Sequence, residues 1–186
     1  MKPKLLLYAA LLTLTQCSQC KRDDPQPQPP KDPLSLLPPE TQTGAGTFGC
    51  LVNGKAYVAL SSIKCRGDWQ GQSTLFVSGE GSLNGDYNNQ EIFSAGMLLN
   101  GGLRNGQEFN LVRFSQPINS TLSQFAADAT IKLCGYHGDY IKAGQVTLVK
   151  FDPVARIAAG RFAFVLYEPG GCDTLRVSNG RFDVKF

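Results

Sequence analysis

The sequence predicts an all-β protein: a single antiparallel β-sandwich or barrel of about nine strands behind a disordered, proline-rich tether. Three observations lead there. The 186 residues include eleven Phe, six Tyr and twenty Gly, a mix that suits strands and turns better than helices. Beyond Thr47, runs of β-branched, aromatic and aliphatic residues alternate with Gly/Asn/Asp/Ser clusters, and the only prolines are Pro117, Pro153 and Pro169. Ahead of Thr47, Pro25, Pro27, Pro29, Pro30, Pro33, Pro38 and Pro39 crowd one short stretch. That density favours extended polyproline II and excludes a regular helix or a central strand.

From the front, Met1-Lys2-Pro3-Lys4 is a short basic start. Leu5 to Leu14 is an apolar run interrupted only by Thr13. The run is too short to cross a bilayer, which takes ~20 residues, and it has the length of a signal-peptide core. Leu14-Thr15-Gln16-Cys17 follows. This resembles the lipobox of bacterial lipoproteins, where a Leu three residues ahead of a Cys marks cleavage and the Cys is lipidated. The resemblance makes residues 1–16 a lipoprotein signal peptide, Cys17 the lipidated residue, 17–46 a tether and 47–186 the domain. Cys20 is the neighbouring alternative, with Cys17 rather than Leu three residues ahead of it. Removing 1–16 takes away Lys2 and Lys4, so the formal charge falls from +3 to +1. Neither strong steering of an anionic partner nor a nucleic-acid footprint is expected at that charge. Lys21-Arg22-Asp23-Asp24 resembles the charged tract that directs lipoproteins of the Bacteroidota to the outer face of the cell. It reads equally as the solvated start of a linker.

Within the domain, strands are expected near 47–52, 55–61, 73–79, 91–99, 107–115, 127–134, 143–152, 155–167 and 173–186. Asn53-Gly54 joins the first two as a hairpin turn. The stretch 119–129 is the only helix-like piece. In 161–167, Phe162, Phe164 and Leu166 share one face while Ala163, Val165 and Tyr167 share the other, so this strand should be central or covered on both sides. In the return strand Leu175 and Val177 have one parity and Phe182, Val184 and Phe186 the opposite one. A strand alternates strictly, so one inserted residue is needed to keep the apolar face, and Gly180 is the natural bulge position. A second hairpin at Asn179-Gly180 is the alternative.

Several segments are similar to a family of outer-membrane lipoproteins of the Bacteroidota built on a domain of unknown function. They are Leu37-Pro38-Pro39-Glu40-Thr41-Gln42-Thr43-Gly44, Thr47-Phe48-Gly49-Cys50-Leu51-Val52-Asn53-Gly54, 144–152, Ala159-Gly160-Arg161-Phe162-Ala163-Phe164 and 172–183. The resemblance implies a lipid-anchored domain of the cell envelope. It supplies no catalytic residue.

Besides Cys17 and Cys20 the chain has Cys50, Cys65, Cys134 and Cys172. Four cysteines in an exported domain suggest two disulfides out of three connectivities, and the pairing expected is Cys50–Cys65 with Cys134–Cys172. Zinc is disfavoured by the lack of a C-x-x-C pair and by a single His. Candidate chemistry is thin, and no cofactor is called for. His137 lies in a polar turn with no G-x-S-x-G elbow anywhere to provide a nucleophile. Asp86-Tyr87-Asn88-Asn89-Gln90-Glu91 lacks the glycine and the distal Glu of a calcium loop. Gly79, Gly81 and Gly85 read as turns, Arg66-Gly67-Asp68 as a loop, and Asn119-Ser120-Thr121 as a glycosylation sequon. Asp173-Thr174-Leu175 resembles a short O-glycosylation motif of Bacteroidota, though in an expected strand. Trp69 with Tyr87 or Tyr136 is the one candidate sugar-stacking platform, set against an ordinary place in the core. The sequence therefore predicts a membrane-anchored, non-enzymatic envelope domain for structural or binding work, with a protein or glycan as its partner. A lipocalin-like carrier of an apolar ligand and a carbohydrate-binding module are the alternatives.

Overall fold

The computed structural model describes residues 31–59, 62–71, 73–86, 88, 91–110, 127–170 and 172–186. Residues 31–186 make one compact unit. Among the described residues there are eleven strands: β1 (Thr47–Val52), β2 (Lys55–Val58), β3 (Cys65–Gln70), β4 (Thr74–Leu83), β5 (Ile92–Asn100), β6 (Gln107–Asn110), β7 (Ala127–Ile131), β8 (Cys134–Tyr136), β9 (Ile141–Asp152), β10 (Ile157–Leu166) and β11 (Leu175–Lys185). They form one curled antiparallel sheet, a half-barrel, in which ten follow the order β6-β9-β10-β11-β1-β2-β4-β5-β7-β8 and β3 pairs with β4 off that path. The all-β expectation holds.

β4 is the strand on which the sheet turns. Its first half, Thr74 to Gly79, pairs with β3, while Ser82 and Leu83 pair with Val58 and Tyr57 of β2. The core lies inside the curl. Along β5 the buried Phe93, Ala95, Met97 and Leu99 alternate with the half-exposed Ile92, Ser94, Gly96 and Leu98. Tyr57, Phe48, Phe93, Phe109 and Phe164 are fully buried, and each such side chain contributes about 1.5–3 kcal/mol by leaving water. The ring of Phe48 in β1 lies directly over Gly79 in β4, where a Cβ would come within 2.2 Å of ring atoms. Only a bare backbone lets these two strands approach so closely.

The hairpin at Asn53-Gly54 forms as expected, with both residues at positive φ (48° and 81°), the signature of the turn that matches strand twist. β10 runs between β9 and β11, so the strand is central as expected, although Ala163 and Tyr167 on its outer side stay exposed. The inserted residue in β11 is present too. Phe162 faces Gly180 but Phe164 faces Val177, and Gly49 faces Arg181 while Leu51 faces Ser178. β11 is continuous, so the second hairpin is excluded. The residue at positive φ is Asn179 (51°), one position before the expected one. Gly180 is needed for a different reason: a Cβ there would sit 2.5 Å from the Phe162 ring.

Other expectations need correction. β3 was not foreseen, because Cys65, Gly67 and Trp69 make a weak inward pattern broken by a glycine. The segment 127–134 is two strands, split by a turn at Lys132 with φ 54°. Residues 127–129 are strand, and the rest of the helix-like stretch lies outside the described residues, as do residues 1–30 with Cys17. The tether was expected to run to residue 46, yet residues 31–46 belong to the compact unit. Proline bars a segment from a ladder but not from packing. Asp32 accepts the Leu34 N–H to start a short 3-10 turn, Pro33–Leu36. Leu37 then joins Leu51 and Ala56 in a second small core on the outer side of β1 and β2.

Candidate functional site

Cys134 and Cys172 are joined by a disulfide, tying β8 to the segment that leads into β11. The Tyr136 hydroxyl reinforces that junction by donating to the Asp173 carbonyl at 2.8 Å. The expected Cys50–Cys65 bond is absent, and both are buried free thiols. The Cys65 Sγ donates to the Thr47 carbonyl at 3.3 Å. Thr47 lies three residues before Cys50, roughly 10 Å of strand, whereas a disulfide needs Cα atoms within ~7 Å. Burial pushes the Cys50 thiol far up and the Cys65 thiol up to about 12. Neither forms a reactive thiolate near neutral pH.

The stacking platform expected of Trp69 with Tyr87 or Tyr136 is not formed by Trp69 and Tyr136. Strand alternation turns Trp69 inward with Cys65, and its ring meets Phe151 and Phe186 edge-on at 5.7 and 5.6 Å. Tyr136 is buried beside the disulfide. Tyr87 lies outside the described residues, as do residues 119–121 of the sequon. Gly79 and Gly81 are in β4 rather than in turns, and Arg66-Gly67-Asp68 is β3 rather than a loop. Thr174 precedes β11, outside the strand expected there. Asp86 accepts the Asn88 N–H within its own turn, and Glu91 is engaged by Tyr57, Lys55 and Lys132. His137 leads into the 3-10 turn Gly138–Tyr140. No group of three metal-ligating side chains converges among the described residues.

Two outer faces of the sheet remain. The face of β3, β4, β5 and β7 carries a groove of ≈ 500 Å³. Phe76 is 38% exposed there, with its ring set over Gly96 of the neighbouring strand. Ser78, Ser94 and Thr130 supply hydroxyls to the lining, and Arg66 and the Lys64–Glu80 pair (2.6 Å) stand at its side. The register explains the grouping: Ser78 faces both Arg66 and Gly96, and Glu80 faces Ser94, which faces Thr130. Phe76 was legible in part, because in Leu75-Phe76-Val77 one parity must point outward, and Ser78 and Glu80 share the parity of Phe76. An apolar ring beside hydroxyls and charged groups suits ligand binding, and the volume is that of a small-molecule site.

The other outer face belongs to β1, β10 and β11, and residues 37–46 cross it as a strap. Asp183, 1% exposed, is its centre. Its carboxylate accepts from the Thr41 hydroxyl (2.6 Å) and from the N–H groups of Thr43 (2.9 Å), Gly44 (2.7 Å) and Ala45 (3.2 Å), while its carbonyl accepts from Gly46 N–H (2.8 Å). Gly44 and Gly46, both near φ 70°, aim these amides at one point, the geometry of an anion nest. Burial raises the Asp183 carboxyl, but the donors from Thr41, Thr43, Ala45 and Gly44 outweigh it and hold it below its usual value. Further along, Pro38 packs on Gly49, and Arg181 donates to the Pro38 carbonyl at 3.0 Å. Glu40 Oε2 accepts from Arg161 Nε (2.9 Å) and Nη2 (2.6 Å). These two side chains are 44% and 62% exposed, so solvent screens the pair and leaves it little net strength.

No protein-family model matches the chain, and comparisons with curated proteins and with solved structures found no match.

Proposed function

We propose that this chain is a lipoprotein of the cell envelope, lipidated at Cys17 and held at the outer membrane, whose β-domain binds a ligand rather than transforming one. The observation that carries the binding reading is the open groove around Phe76. Its aromatic face, three hydroxyls and flanking Arg66 favour a carbohydrate among the partners considered, since sugars present apolar ring faces rimmed by hydroxyls. The Cys134–Cys172 disulfide supports an oxidising compartment. Interior positions taken up by Tyr57, Phe48, Phe93, Phe109 and Phe164 favour a filled core over a lipocalin-like carrier.

Glycan-array binding of the full protein, repeated with Phe76→Ala, tests the ligand reading. Binding that falls at least tenfold in the variant supports it, and undiminished binding, or none in either protein, overturns it. Metabolic labelling with a clickable fatty acid tests the anchor, because Cys17→Ala should abolish uptake of the label.

A further inference from the structure

The strap is held at two places of very unequal strength. Asp183 is buried under donors from Thr41 through Ala45. Glu40 is an exposed carboxylate resting on an exposed guanidinium. Beneath Glu40, Arg161 and Arg181 stand directly opposite each other across β10 and β11. Like charges at opposed positions of an antiparallel pair repel, so the pair needs an anion beside it. Glu40 serves both: hydrogen bonds from Arg161 come first among the influences that lower its carboxyl, and the Arg181 charge adds to them. The arginines are not saturated by it. Among the described residues, both Arg161 bonds end on one Glu40 oxygen, Arg181 Nη1 donates to the Pro38 carbonyl alone, and the buried Arg181 Nε meets no acceptor. Next to them a concavity of ≈ 280 Å³ is lined by Gln145, Thr147 and Asn179 as well as by Glu40 and the two arginines.

We propose that Arg161 and Arg181 form a binding site for a small carboxylate-bearing ligand, with Glu40 as the resident internal occupant that such a ligand displaces. A guanidinium offers a planar fork that matches a carboxylate, and two forks around one concavity select an oxyanion over a neutral group. Residues 38–40 then lift while the Asp183 contacts keep 41–46 in place, so strap and ligand compete without unfolding the domain. Removing the internal competitor raises the fraction of open sites, and apparent affinity rises in proportion.

The experiment uses the full-length protein in detergent, with acetate and inorganic phosphate titrated separately at constant ionic strength. Binding is followed through the Arg Nε–H resonances by NMR. Glu40→Gln should bind acetate roughly threefold to tenfold more tightly than the parent. Glu40→Gln combined with Arg161→Gln should lose that binding, while combination with Arg161→Lys should restore part of it. A natively folded Glu40→Gln with no gain in acetate affinity overturns the proposal, and so does a gain that survives Arg161→Gln. A gain for phosphate alone overturns the carboxylate assignment.

Discussion

The two outer faces of this half-barrel are made by the same alternation of strand residues and end in opposite states. On β1, β10 and β11 the outward positions are Gly49, Leu51, Arg161, Arg181 and Asp183, and the chain's own residues 37–46 lie over them. On β4 and β5 the outward positions are Phe76, Ser78, Glu80, Ser94 and Gly96, and they border an open groove. A buried carboxylate is tolerated only where enough donors converge on it. Asp183 therefore demands the strap, whereas the hydroxyls and the ring around Phe76 rest comfortably in water. Covering is thus a structural necessity on one face, and openness on the other leaves a surface free for a partner.

The comparison breaks first at Asp183. Asp183→Ala leaves the donors of Thr41, Thr43, Gly44 and Ala45 without their acceptor, and a loss of about 3–5 kcal/mol is expected in urea or thermal unfolding. A loss below about 1 kcal/mol would mean that the strap is a passive tether. The same residue sets an acid limit. Its carboxyl is lower in the fold than the ordinary 3.8, so its contribution is complete above that value and fades as pH falls through the folded one. Stability should drop with acid more steeply in the parent than in Asp183→Asn, as urea midpoints across acid pH would record. Replacing Cys134 and Cys172 by Ala should cost about 2–4 kcal/mol by freeing the unfolded chain. The same exchange at Cys65 removes no bridge, so the variant should lose as much stability in reductant as the parent does, all of it through Cys134–Cys172.

Between these extremes lies what the sequence could reveal. The strands that hold the core were legible because their apolar residues alternate, and the bulge in β11 was legible because Val177 and Phe182 disagree in parity. The strap was not. Its prolines describe a chain that cannot pair in a ladder, and they hide a loop that presents its amides to an aspartate about 140 residues away. Asp183 itself looked like an outward strand residue between Phe182 and Val184. For the groove, Phe76 could be placed on an outward parity, but its neighbours on β3, β5 and β7 depend on long-range pairing that local pattern does not specify. For Trp69 the sequence left a stacking platform set against a place in the core, and strand register puts it in the core beside Phe151 and Phe186.

Smallest in stability are changes on the open face. Phe76→Ala should lower stability by about 1 kcal/mol, because the ring is partly in water, while removing the groove's apolar platform. A large stability loss there would sharpen the contrast in the wrong direction and make Phe76 a structural residue. Glu40→Gln should move the thermal midpoint little, in keeping with its exposure, and act instead on anion affinity.

Amide hydrogen exchange across residues 41–46 tests the division between covered and open faces most directly. The N–H groups of Thr43, Gly44, Ala45 and Gly46 should exchange as slowly as those of β11, opening only when the whole unit unfolds. Exchange at the rate of a free peptide, in a protein whose β11 amides stay protected, would show the strap lifted from Asp183 and contradict the division.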